Sequence, residues 1–175
     1  GLIFSSTTVA LPKLFEERFT AALPSALGFT ALASLVYAIA SFAQVAAGAA
    51  VDKYSAKSML IVILGTQVVV LPVMAYADGP LLFACSLFLM ACVFGQIPVI
   101  DTMLTRYVPD AYRGRVFSVK YLLNLTVGAM AIPMISGMHQ WADGFLTMFQ
   151  ALAVVALVMV SAAFILRRPQ AVAAE

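Results

Sequence analysis

Two ionisable residues lie far from the polar turns of an apolar sequence. Asp101 comes nine residues before Asp110, and Lys120 comes ten residues after it. If the chain reverses direction at Asp110, two antiparallel helices bring both side chains to one depth, roughly 14 Å from the turn. Charges at that depth in lipid are costly unless they pair or face water. We expect a salt bridge between them or exposure to a cavity; alternatively, Lys120 snorkels towards lipid headgroups and Asp101 lies on the wet side of its helix.

Two uncharged amides are matched in the same way, closer to the middle of a bilayer. Gln96 and Asn124 each lie 14 residues from Asp110, which places both near the membrane midplane. An amide at that depth needs a hydrogen-bond partner. Such side chains commonly join membrane helices to one another.

Residue types needed for catalysis or metal binding are scarce. His139 is the single histidine, and Cys85 and Cys92 are seven residues apart on one helix face, a spacing that favours packing. The sequence contains no G-x-S-x-G elbow, P-loop or dinucleotide-binding motif. We therefore expect no enzymatic activity, no metal site and no cofactor.

The composition indicates a protein that is surrounded by lipid. Hydrophobic residues make up 63% of the 175 residues and charged residues 10%, and the mean hydropathy is +1.02. A soluble domain would need many more charges to cover its exterior. The lysines and arginines are scattered between apolar runs, a pattern that does not predict nucleic-acid binding.

The elements that position the polar residues are five apolar stretches and a shorter one at the start. Each long stretch has about the 20 residues that a helix needs to cross the hydrocarbon core. We predict an all-α membrane protein with a six-helix bundle. Its helices span residues 1–15 (a partial helix), 23–51, 59–77, 80–107, 116–138 and 145–166, followed by a tail at 167–175.

The opening stretch is too short to span a bilayer by itself. About eleven apolar or small residues precede Pro12, Lys13 and the charged group at residues 16–18. We interpret it as the outer part of a helix that begins before Gly1; the alternative is an interfacial or re-entrant half-helix.

The distribution of Lys and Arg predicts the orientation. Alternate connections carry eight cations on one side: Lys53, Lys57, Arg106, Arg113, Arg115, Lys120, Arg167 and Arg168. The other side carries Lys13 and Arg18. Because cytoplasmic loops are enriched in Lys and Arg, we expect the first side, and the C-terminus, to be cytoplasmic.

Two loops resemble motifs of the major facilitator superfamily. Residues 48–57, GAAVDKYSAK, are similar to the motif G-x-x-x-D-[RK]-x-G-[RK]-[RK], with Ser55 at the second glycine and Ala56 at one basic position. Residues 109–117, PDAYRGRVF, resemble the link between that family's tenth and eleventh helices. The resemblance implies that the chain is the C-terminal half of such a transporter, segments seven to twelve.

The resemblance also implies a gate at the basic side. Asp52 would pair with an arginine at the end of the tenth helix, for which Arg106 is the candidate, and with a helix of the other half. Lys53, Lys57, Arg113 and Arg115 belong to the same loops. Gly48, among small residues, is expected to let another helix pack closely. The alternative is that Asp52 is a solvated charge of little energetic value.

The first, fourth, seventh and tenth helices line the central cavity in this family. By resemblance, the candidates that face the substrate are Gln96 on the tenth helix and Ser5, Ser6, Thr7 and Thr8 on the seventh. Tyr37, Gln44 and Asn124 are secondary candidates from flanking helices. Alternatively, all of these groups join helices. We also expect kinks at Pro98 and Pro133.

The predicted function is secondary active transport of a small molecule by alternating access. Without a nucleotide-binding motif, an ion or proton gradient is the expected energy source, and Asp101 or the missing half would hold the proton. We expect a bacterial inner-membrane protein that exports a drug or metabolite, with a six-helix N-terminal half as its partner. The alternatives are a membrane receptor or scaffold, and association of two copies of this half.

Overall fold

The computed structural model describes residues 1–19, 26–141 and 144–166. Across these ranges the chain is helical, with short turns and no β-strand. The helices are α1 (Leu2–Arg18), α2 (Ala26–Val51), α3 (Ala56–Tyr76), α4 (Gly79–Tyr107), α5 (Asp110–Ala129), α6 (Ala131–Trp141) and α7 (Phe145–Ile165). The predicted tail at 167–175, with Arg167 and Arg168, lies outside the described residues, as do residues 23–25 of the second predicted helix.

Five helical segments of the described chain are long and apolar enough to cross a membrane. They are Gly28–Val51, Ala56–Tyr76, Gly79–Tyr107, Asp110–Gly137 and Phe145–Ile165. The fourth of these comprises α5 and α6 together. With α1, they form six helical segments, and the prediction of an all-α membrane bundle is confirmed.

The turns between helices are short and have local causes. Ala77 and Asp78 separate α3 from α4, and Gly79 has a φ of +54° that glycine adopts without strain. Val108 and Pro109 separate α4 from α5; Val108 is extended, as the residue before a proline prefers. The chain therefore reverses beside Asp110, as the spacing predicts.

Helix α5 begins six residues before the predicted start at residue 116, at Asp110. Hydropathy marks where a helix enters hydrocarbon, whereas the helix itself continues into the polar region. Asp110 in the first turn is favoured there because its charge opposes the positive end of the helix dipole.

The predicted fifth helix is interrupted at Met130, between α5 and α6. Pro133 has no N–H to donate to the carbonyl of Ala129, and its ring crowds that carbonyl. The N–H of Met130 still bonds the Thr126 carbonyl, at 3.3 Å. The break is therefore local to one residue.

Small residues allow α2 and α4 to pack closely. A methyl group added at Gly95 would lie 3.5 Å from Cβ of Ala47 and 3.7 Å from the carbonyl oxygen of Ala43. A methyl group added at Gly48 would meet no described atom within 4 Å. Gly48 therefore does not make the close contact that we expected from it within this bundle, because Ala43 and Ala47 form the stripe that faces α4 and Gly48 lies beside it.

Helix α1 lies inside the bundle. It packs against α2, α4, α5, α6 and α7, and Leu11, Leu14 and Phe15 are at most 1% exposed. A helix that lies flat on a membrane surface would keep a polar face in water. The placement of α1 is that of an inserted helix.

Two basic side chains bond the C-terminal ends of neighbouring helices. Arg18 of α1 donates to the carbonyls of Ala75 and Ala77 at the end of α3, at 2.8 Å each. Lys57 of α3 donates to the carbonyls of Phe164, at 2.9 Å, and Leu166 at the end of α7. These carbonyls have no partner within their own helix, and a cation also suits the negative end of the helix dipole.

The same arrangement recurs at the ends of α4 and α2. Arg113 of α5 donates to the carbonyls of Thr105, at 2.8 Å, and Val108, at 3.3 Å. Arg106 of α4 donates to the carbonyl of Val51 at 3.4 Å. The basic residues whose distribution predicts the orientation, among them Lys57, Arg106 and Arg113, therefore also join helices.

We expect Arg18→Gln to lower the free energy of unfolding by about 2 kcal/mol, because hydrogen bonds from a charged donor to two otherwise unpaired carbonyls are lost. The measurement is the melting temperature of the purified protein in detergent. Lys13→Gln is the matched control, since Lys13 is an exposed cation on the same helix. Equal melting temperatures for the two variants would show that the Arg18 bonds do not stabilise the bundle.

Candidate functional site

A cavity of about 940 Å³ lies between α1, α4 and α5. Its volume falls in the range of pockets that hold drug-sized molecules. The wall combines polar and apolar side chains, and Met159 of α7 contributes to it. The lining residues are Gly1, Phe4, Ser5, Gln96, Ile97, Ile100, Lys120, Tyr121, Asn124, Leu125, Gly128, Ala129 and Met159.

Helical periodicity explains why these residues share one space. Residues 120, 121, 124, 125, 128 and 129 recur every three to four positions, so they form a single face of α5. Residues 96, 97 and 100 form a matching face of α4. No residue described in α5 is buried, so this helix stands away from α4 and leaves the cavity between them.

Helix α1 approaches α5 closely at the edge of the cavity. A methyl group added at Gly128 would lie 2.7 Å from Oγ of Ser5, closer than side-chain atoms pack. At Gly1 the same addition would lie 2.9 Å from Oδ1 of Asn124. The absence of a side chain at Gly128 therefore brings the Ser5 hydroxyl against α5.

Lys120 and Asp101 form the predicted salt bridge. The ammonium donates to Oδ1 of Asp101, and the side chains are 17% and 29% exposed respectively. The ammonium also lies 5.6 Å from the ring centre of Phe117 and 5.0 Å from that of Tyr121. Both distances are within the range of cation–π attraction, so the charge of Lys120 is stabilised by three neighbours.

Gln96 is bonded to a glutamine of the adjacent helix. Nε2 of Gln67, on α3, donates to Oε1 of Gln96 at 2.9 Å. Gln67 is fully buried and Gln96 is 5% exposed. This bond occupies the carbonyl oxygen of Gln96, so the remaining N–H groups of its amide are available to the cavity, which Gln96 lines.

The structure brings three of the eight substrate-facing candidates to this cavity: Ser5, Gln96 and Asn124. Ser6 and Thr7 are buried in the bundle. Hydroxyls of Thr7 and Thr8 donate to carbonyls one turn earlier, at 2.6 and 2.7 Å. Four consecutive helical residues point in different directions, about 100° apart, so they do not share one wall.

The secondary candidates on α2 lie away from the cavity wall. Tyr37 donates from its hydroxyl to the carbonyl of Thr8 at 2.7 Å, so it joins α2 to α1. Gln44 is half-buried. Their contact with substrate stays a prediction. For Tyr37, the alternative role of joining helices has a specific partner, the carbonyl of Thr8.

Arg106 reaches the end of α2, although it bonds the backbone there. Its guanidinium donates to the carbonyl of Val51, the residue before Asp52, and Asp52 is exposed. The two members of the predicted gate therefore lie at the same end of the bundle, on α4 and beside α2. Their role in gating stays a prediction.

Of the four remaining gate candidates, two have side chains that bond other residues and two have exposed side chains. Lys57 and Arg113 bond helix ends, and Arg113 also pairs with Asp110 at 2.5 Å. Lys53 and Arg115 are exposed. All four lie at the end of the bundle that carries Asp52, which we call the basic end.

Gln67 is the site residue that the sequence analysis missed. It is a single amide in an otherwise apolar stretch, which is a signal that a polar partner exists. Its partner could not be inferred because Gln67 and Gln96 do not lie at equal distances along the chain from the turn that joins α3 to α4. Within the described ranges, no three His, Cys, Asp or Glu side chains come together as metal ligands would.

The family comparison agrees with this architecture. The model of the Major Facilitator Superfamily matches residues 1–175. No curated protein and no solved structure gave a significant match. With five helical segments able to cross a membrane and a match over its whole length, the chain is a multi-pass membrane protein that belongs to the major facilitator superfamily, a family of secondary transporters.

Proposed function

We propose that this chain is the C-terminal half of a secondary active transporter that moves a small molecule across the membrane by alternating access. The observation that carries the proposal is the cavity between α1, α4 and α5. The cavity brings amides and an ammonium to one space within an apolar bundle, and polar groups inside a membrane bundle commonly mark a substrate path. Transporters of this type bind substrate near the bilayer midplane, where Gln96 and Asn124 lie by residue count.

The partner in this proposal is an N-terminal six-helix half. Helix α5 has no buried residue among those described, and apolar side chains such as Leu122 and Leu123 are 65% and 58% exposed. A second bundle packed beside α5 would close the open side of the cavity. The two bundles would then rock about the bound substrate.

The orientation that we propose places the basic end in the cytoplasm of a bacterial cell, with the protein in the inner membrane and the C-terminus inside. Lys53, Lys57, Arg106, Arg113 and Arg115 belong to this end. Lys13 and Arg18 belong to the opposite end. This asymmetry follows the positive-inside rule.

The proposed energy source is an ion gradient, most simply of protons, used for export of a drug or metabolite. Asp101 is the proposed proton site because it is an acidic side chain within the membrane span of α4 and is bonded to Lys120 of the cavity wall.

A non-transporting receptor or scaffold is the alternative function. It would share the composition and the helix topology, but it would have no use for a water-filled path that opens at one side of the membrane. Accessibility of the cavity to polar reagents distinguishes the two functions.

We expect a cysteine at position 124 to react rapidly with N-ethylmaleimide in membranes, because Asn124 lines the cavity, which the proposed path fills with water, and maleimides attack the thiolate. The native Cys85 and Cys92 are replaced by serine in this experiment. Val69→Cys is the matched control, since Val69 is 64% exposed on α3 and lies 13 residues from the start of that helix at the basic end. Its thiol faces lipid, where thiolates do not form. Equal reaction rates at the two positions would contradict a water-filled path.

We expect Asp52→Asn to speed labelling of Asn124→Cys by a membrane-impermeant maleimide applied at the basic end. Loss of the proposed gate contact favours opening at that end, and an ion pair worth up to about 1 kcal/mol corresponds to an increase of up to about five-fold. Asp110→Asn is the control, since Asp110 pairs locally with Arg113 in a different turn. Unchanged labelling in Asp52→Asn would remove the gate from the proposal.

A further inference from the structure

The cavity wall has a single sign of charge. Lys120 lines it, and among the described lining residues none is acidic. The carboxylate that neutralises Lys120 belongs to Asp101, which is not part of the wall. A ligand in the cavity therefore contacts the ammonium of Lys120, whereas the carboxylate of Asp101 lies outside the cavity lining.

The neighbours of Lys120 hold the ammonium in place independently of Asp101. The rings of Phe117 and Tyr121 lie on the same helix, one turn before and one residue after it. Because these cation–π contacts do not involve α4, they persist if the bond to Asp101 breaks. The ammonium can exchange one anionic partner for another without losing all of its contacts.

Lys120 differs in this respect from the basic residues at the helix ends. Arg18, Lys57, Arg106 and Arg113 donate to backbone carbonyls, which are fixed parts of helices; Arg18 and Arg113 pair with Asp78 and Asp110 in addition. For Lys120, the hydrogen-bond partner within the described residues is a side-chain carboxylate that is 29% exposed. Another carboxylate can replace it with little change in hydrogen-bond geometry.

Other groups on the wall add donors near this cation. The bond from Gln67 occupies the carbonyl oxygen of Gln96 and leaves the N–H groups of that amide to the cavity. The amide of Asn124 lies one turn from Lys120 on the same face of α5. Phe4, Ile97 and Leu125 provide apolar surface beside these donors.

We infer that the cavity binds an amphipathic organic anion, whose carboxylate or sulfonate group takes Lys120 from Asp101 while its apolar part packs against Phe4, Ile97 and Leu125. The inference rests on the proposed transport function and names its substrate class. The opposite exchange, in which an organic cation takes Asp101 from Lys120, is the competing outcome of the test.

The test measures how probes of matched shape protect Asn124→Cys from N-ethylmaleimide in the complete transporter. The probes are benzenesulfonate, benzyltrimethylammonium and benzyl alcohol, which carry fixed negative, fixed positive and no charge. We expect benzenesulfonate to protect at the lowest concentration. Better protection by benzyltrimethylammonium, or equal or no protection by all three, would overturn the inference.

Two substitutions should shift this protection in opposite directions. Lys120→Gln removes the cation, so we expect protection by benzenesulfonate to need at least tenfold more probe, in keeping with the strength of charge-assisted hydrogen bonds. Asp101→Asn removes the competing carboxylate, so protection should need several-fold less. A loss of protection in Asp101→Asn equal to that in Lys120→Gln would mean that the pair is only structural.

The double variant Asp101→Asn with Lys120→Gln guards against misfolding, because it leaves no unpaired charge in the bundle. It should label normally at position 124 and show no preference for the anion; a retained preference would overturn the role of Lys120. Lys13→Gln, an exposed cation far along α1, should leave protection unchanged.

Failure of the inference and failure of the proposed function give different results. If Asn124→Cys does not react with N-ethylmaleimide without any probe, the water-filled path is absent and the proposed function fails. If it reacts and the cationic probe protects best, the path stands and the anion class is wrong.

Discussion

Hydrocarbon offers no hydrogen bonds, and this constraint determines where the polar groups of the bundle go. The last four carbonyls of every helix lack a partner within that helix, and those that water does not reach must be bonded by another helix. Here the ends of α2, α3, α4 and α7 each receive a basic side chain from another helix. Arg18 and Lys57 show the pattern most clearly, with donors 2.8 and 2.9 Å from carbonyls of helices distant in sequence. These cations join the helices in addition to setting the orientation.

The same constraint divides the bundle into a dense part and a loose part. Helices α2 and α4, and α3 and α7, pack over long contacts, and Gly95 with Ala47 brings the first pair together. Helix α5 contributes no buried residue among those described. Its residues 120, 121, 124, 125, 128 and 129 face the cavity instead. The cavity therefore lies on the loosely packed side of the bundle.

Sequence reasoning succeeded where two residues lie at nearly equal counts from one turn and failed where the packing of helix faces decides the contact. Asp101 and Lys120 could be paired by counting residues from Asp110, because an antiparallel hairpin fixes their depth. Gln67 and Gln96 could not be paired, because the register between α3 and α4 depends on how whole helix faces fit together. Counting also cannot tell which of residues 5–8 faces the cavity, since that depends on the rotation of α1 about its axis.

Helix α4 positions two polar residues at the site. It holds Gln96 through the buried amide of Gln67, and it presents Asp101 to a helix that it otherwise touches little. Near the turn, Arg113 ties α5 to the end of α4, whereas farther along α5 Lys120 makes the polar link between them. An anion that takes Lys120 from Asp101, as we infer, would remove this link, so ligand binding and the polar contact between α4 and α5 depend on the same hydrogen bond.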